Sequence, residues 1–123
     1  MARRAGAGQR VTNDGIGQGE TFANIVTASS GAITVVAAAT GEKIRVMSCY
    51  LIAGAADTLW WTTGAGSTAI SGSSTGVISL AANGGYVLNE SSMGHFETKA
   101  GEALVLNHTV ATTLGGSLVY KLV

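Results

Sequence analysis

A short strand pattern followed by a turn recurs about every ten residues along this chain, and that rhythm limits what it can fold into. Small and β-branched residues run over 31–39. Residues 44–53 alternate across two faces, with Ile44, Val46, Ser48, Tyr50 and Ile52 on one side and Arg45, Met47, Cys49 and Leu51 on the other. Both faces become apolar after Met47, which predicts cover on both sides of this strand. Further strands are expected over 58–63, 77–81, 86–89, 95–98, 103–110 and 117–123. The turns between them carry glycine, and no segment shows a capped 3.6-residue apolar period. Asn83-Gly84-Gly85 supplies the residues that a tight hairpin with two positive φ angles needs, so 86–89 is predicted to pair back on 77–81. The Gly/Ser/Thr-rich stretch 64–76 is a long loop or a weak edge strand. About eight short strands with turn signals predict an all-β antiparallel sandwich or closed barrel.

Residues 1–20 differ in texture. They hold five glycines (Gly6, Gly8, Gly15, Gly17 and Gly19) and only Val11 and Ile16 as large apolar residues after Met1. Such a segment buries too little surface to fold alone. Arg3, Arg4 and Arg10 are unbalanced by any acid within the first ten residues, so the segment reads either as a disordered terminus or as an extended arm that orders on a partner with the arginines as anchors. Phe22, Ile25 and Val26 form the first large apolar cluster, so the folded domain is expected over 21–123. At 123 residues, one domain with a real core fits the length.

Charge is scarce, and this bears on partners. Charged residues are 11% of the chain, against about 25% in an average soluble domain. A surface so short of charge is poorly defended against association, which favours burial against other subunits over a monomer kept soluble by Ser, Thr and Gly. The formal net charge is zero, which argues against a general nucleic-acid binder. No apolar run approaches the length of a membrane span. No secretory leader is recognisable at Arg3-Arg4, so synthesis in the cytoplasm is expected. The single cysteine, Cys49, sits in a hydrophobic strand and reads as a buried thiol.

Chemical motifs are weak. Gly72-Ser73-Ser74-Thr75-Gly76 matches a nucleophile elbow, with His95 and His108 following, but no α/β alternation surrounds it and the match reads as chance. Two histidines without a third ligand at metal spacing do not make a metal site. Gly15-Ile16-Gly17-Gln18-Gly19 lacks the strand before and the helix after that a phosphate loop requires. Glu42, Lys43, Glu97, Lys99 and Glu102 gather at turns and read as a solvated rim. The expectation is a chain without catalytic residues, metal or cofactor. Trp60 and Trp61 fall on opposite faces of one strand, so one is expected in the core and one at a subunit contact. With Tyr86 they are the candidate interface residues, and the same three are the plausible contributors to an aromatic platform for a glycan.

The order of several segments resembles small β-sandwich proteins from the structural modules of tailed bacteriophages. These are Thr40-Gly41-Glu42-Lys43-Ile44-Arg45-Val46, Ser79-Leu80-Ala81-Ala82-Asn83-Gly84-Gly85-Tyr86-Val87-Leu88, Met93-Gly94-His95-Phe96-Glu97-Thr98, Ala100-Gly101-Glu102-Ala103-Leu104-Val105-Leu106-Asn107 and Gly115-Gly116-Ser117-Leu118-Val119-Tyr120. The resemblance covers residues 22–123. It implies a β-sandwich of jelly-roll type and a capsid decoration or cement protein, usually a homotrimer, on the outer surface of the virion head. The partner would be the major capsid protein, gripped through Arg3, Arg4 and Arg10. A tail or fibre module that recognises a host-surface glycan is the alternative.

Overall fold

The computed structural model describes residues 19–64 and 68–123. Ten strands follow one another without a helix among the described residues: β1 (Glu20–Thr27), β2 (Gly31–Val36), β3 (Ile44–Ala53), β4 (Asp57–Thr63), β5 (Thr68–Ser71), β6 (Ile78–Leu80), β7 (Gly85–Leu88), β8 (Phe96–Glu97), β9 (Leu104–His108) and β10 (Leu114–Leu122). They form two antiparallel sheets packed as a sandwich. The first runs β1-β10-β3-β7, with β8 also on β3; the second runs β2-β9-β4-β5, with β6 also on β4. Pairing is nested, β1 with β10 around β2 with β9. The arginines Arg3, Arg4 and Arg10 lie outside the described residues.

The core lies between the sheets. Ile25, Val46, Cys49, Leu51, Leu114 and Leu118 face Val36, Leu59, Trp61, Leu80, Leu104 and Leu106. β3 does not keep one alternation throughout. Opposite it, Val119 pairs with Ser48 and the next residue, Tyr120, pairs with Val46, so Met47 is an extra residue in a β-bulge. Ile44 and Val46 point inward before the bulge, and Cys49, Leu51 and Ala53 point inward after it. The expected grouping of Ile44 and Val46 with Tyr50 and Ile52 is therefore corrected. The expected cover on both sides is corrected too, because Tyr50 and Ile52 stand outward and exposed.

Two other expectations change. β6 and β7 do not form a hairpin: β6 pairs with β4 in one sheet and β7 with β3 in the other. Of the turn residues only Asn83 has a positive φ, 59°, whereas a type I′ hairpin turn needs two. The turn, closed by Gly84 N–H donating to Ala81 O at 2.8 Å, carries the chain from sheet to sheet instead. Gly115 and Gly116 belong to β10, although the gap between the expected strands 103–110 and 117–123 reads as a turn over 111–116. A Cβ on Gly116 would strike the Tyr50 carbonyl, and one on Gly85 the Leu51 carbonyl, so the flanking strands close on β3 only where those side chains are missing. The weak edge strand in 64–76 materialises as β5.

These neighbouring glycines make opposite predictions. Gly116→Ala pushes against backbone that cannot yield and is expected to cost about 2 kcal/mol or more in denaturant unfolding. For Gly115→Ala the nearest atom to a new Cβ is 3.9 Å away, so stability should stay within about 0.5 kcal/mol of the parent.

Candidate functional site

β4 opens with Asp57 and β9 ends with His108, which places both on the inner face at one end of the sandwich. Neither side chain has exposed surface, and His108 Nδ1 lies 2.8 Å from Asp57 Oδ2. The other carboxylate oxygen, Oδ1, accepts the backbone N–H groups of Thr58 (2.8 Å), Val110 (3.1 Å) and Thr109 (3.3 Å). With the carboxylate accepting, Nδ1 is the donor. His108 Nε2 has no hydrogen-bond partner among the described residues. A His–Asp pair is two thirds of a nucleophilic triad, but the geometry stops there, because no hydroxyl among the described residues lies within reach of Nε2. Asp57 acts as a clamp on the turn after β9.

The elbow-like sequence is a separate surface loop between β5 and β6. Ser73 and Gly76 exchange backbone bonds, and Gly76 N–H also donates to Ser73 Oγ at 2.9 Å. It links two strands rather than a strand and a helix, so it lacks the strained exposure that activates a serine. His95 Nε2 is 2.6 Å from the Asn89 carbonyl and ties down the β7–β8 loop. No group of three or more metal-ligating side chains occurs among the described residues.

Trp61 and Tyr86 meet in the interior. Trp61 Nε1–H donates to Tyr86 Oη at 2.7 Å, a strut from β4 to β7 across the sandwich. Trp61 is fully buried and its ring lies 5.4 Å from that of Phe96, tilted by 40°. Tyr86 is half-buried and packs against the core. Burial pushes the neighbouring Cys49 thiol up to about 12, and the Tyr86 hydroxyl acts against the rise. Burial likewise raises the Tyr86 phenol, with the Trp61 bond acting against it. Of the three aromatic residues proposed for an interface or a glycan platform, Trp61 therefore has no surface to offer and Tyr86 points inward. Trp60 remains half-exposed on the outer face of the second sheet.

The rim charges acquire partners. Glu97 takes Arg45 Nε at 2.8 Å and Lys43 Nζ at 3.3 Å. Its carboxyl is held below the usual range, first by the Arg45 hydrogen bond. Thr63 Oγ1 donates to Glu102 at 2.8 Å and accepts Lys99 N–H at 2.9 Å, which anchors the loop before β9.

What remains is a surface. The outward positions of the first sheet are Phe22, Asn24 and Val26 on β1, Gly115, Ser117 and Val119 on β10, Ser48, Tyr50 and Ile52 on β3, and Gly85 and Val87 on β7. None is charged. Phe22 is 81% exposed, Val26 69%, Val87 68%, Ile52 56% and Tyr50 50%. A groove of about 350 Å³ lies among Phe22, Ser48, Tyr50, Val87, Ser117 and Val119. The charges Glu20, Lys121, Arg45 and Glu97 sit at one end of this face, and Glu90 borders its groove. Sequence reading missed the face, although the doubly apolar pattern after Met47 was its signal. No protein-family model, curated protein or solved structure matches this chain.

Two measurements probe the interior. In native protein at pH 8, Cys49 should resist a disulfide-exchange reagent and react fully once unfolded. The sign follows from the raised value: the stability held by the neutral thiol is complete below about 9 and is lost as pH climbs toward about 12. Cys49→Ala should flatten the fall of stability between those pH values. Asp57→Ala strips acceptors from three backbone N–H groups and from His108, and should cost about 3–5 kcal/mol in chemical unfolding.

Proposed function

We propose that this chain is a non-enzymatic virion structural protein, a decoration or cement protein that stabilises a bacteriophage capsid by bridging neighbouring capsid subunits. The observation that carries this reading is the uncharged outer face of the first sheet with its five exposed large apolar residues. An apolar patch of this kind marks a protein interface, and here every candidate for chemistry has an alternative task in holding strands together. The nested strand order accords with the jelly-roll type that the sequence resemblance implies. In this reading the chain assembles as a homotrimer on the outside of the head. The arm bearing Arg3, Arg4 and Arg10 lies on the major capsid protein and adds buried area across subunit joints, at a cost in chain entropy. The glycan-binding alternative rested on Trp60, Trp61 and Tyr86, and two of those three are turned into the core.

Antibodies raised against the folded chain and applied to virions of the phage encoding it should label the outer head surface. Label confined to tails or fibres, or its absence from virions, overturns the reading. A chain starting at residue 21 should bind heads at least tenfold more weakly than the full chain; equal binding removes the arm from the mechanism.

A further inference from the structure

The outer face of the β1-β10-β3-β7 sheet has relief as well as composition. Phe22 and Val26 form one ridge on β1, and Tyr50 and Ile52 form another on β3. Between them β10 presents Gly115, Ser117 and Val119, which make a furrow. A groove of about 350 Å³ starts in this furrow beside Phe22 and crosses the small Ser48 on β3 to Val87, Asn89 and Glu90. The face thus carries a bulky knob and a furrow able to take one, side by side.

We propose that this face is covered by a second copy of the same chain, with Phe22 of one copy seated in the furrow over β10 of the other. A surface that holds both a shape and its complement can pair with itself about a two-fold axis, so this contact joins two copies and is separate from the contacts that would close a trimer. The strand positions of the face carry no charge and the one charged residue lining its groove is the acid Glu90, so the face offers nothing to the phosphates of a nucleic acid or to an anionic lipid surface. The charges at its end carry both signs, which allows the rims of two copies to pair without net repulsion. Strand spacings of about 4.8 Å and about 3.3 Å per residue give the apolar face a footprint near 300 Å². A stable interface buries about 800 Å² per partner. The apolar face is then the centre of the contact and the rim supplies the rest. The assignment rests on the reading of the chain as an oligomeric structural subunit, and it names what covers the face.

Sedimentation velocity of the purified full chain from about 1 to about 500 µM tests it. The parent chain should shift from monomer to a discrete oligomer across that range. Phe22→Asp and Tyr50→Asp should each weaken association at least tenfold with unchanged thermal midpoints, since both side chains stand outside the core. Thr34→Asp, exposed on the second sheet, should associate like the parent. A monomer at every concentration overturns the proposal, as does association disrupted by the Thr34 variant but not by the Phe22 variant. If the parent stays monomeric and Phe22→Asp abolishes binding to heads, the capsid is the occupant and the self-contact is wrong, while the proposed function stands. If the chain self-associates through Phe22 but never labels heads, the self-contact stands and the virion reading fails.

Discussion

A strand in a sandwich gives one face to the core, and β3 exchanges the residues on that face at Met47. The rest of the molecule is arranged around this exchange. β3 pairs along nearly its full length with β10 and carries β7 and β8 on its other edge. Without the extra residue, Ile44 and Val46 could not share the interior with Cys49 and Leu51, because a period of two would put one pair outside. The bulge therefore fills the core at both ends of the strand. It also turns Tyr50 and Ile52 toward solvent, and this exposes an apolar face that the single chain does not cover.

Polar groups inside the sandwich serve the same economy of connection. Asp57 gathers three backbone N–H groups and a histidine at one end, and Thr63 ties Lys99 and Glu102 at the other. Trp61 and Tyr86 link the two sheets between them. These bonds are partly or fully buried, so an unmade partner would be more costly than the net gain of making it. Such groups fix which strands meet. The orphan Nε2 of His108 is the exception among the described residues.

Much of the fold was legible in the sequence. The bounds of β3 follow from its alternation and its flanking turns, and burial of Cys49 follows from its place there. The misreadings have a common physical source. Asn83-Gly84-Gly85 permits a hairpin locally, but the partners of β6 and β7 are chosen by the sheets, where Leu80 and Tyr86 find their neighbours. Gly115-Gly116 looks like a turn, yet the need is for close approach of β10 to β3, a fact about a strand some sixty residues earlier in the chain. Trp61 and Tyr86 looked like interface residues because their types are common there; only the fold reveals that each satisfies the other's polar atom. The exposed face was half-legible. β3 showed apolar residues on both sides, but nothing local says that Phe22 and Val26 join it across β10.

The nested pairing of β1 with β10 and β2 with β9 has a kinetic side. Nearly every ladder that holds the first sheet joins segments far apart in sequence, so little of it can form while the chain is incomplete. Loop closure has to be met before those contacts reward it. Folding should fall in the millisecond-to-second regime of non-local β proteins rather than the microsecond regime of helical bundles. During that interval the ridge on β1 and the ridge on β3 lie exposed together with unpaired strand edges. At high concentration the chain would meet its own copies in that state, and β10 is the strand whose arrival closes those edges.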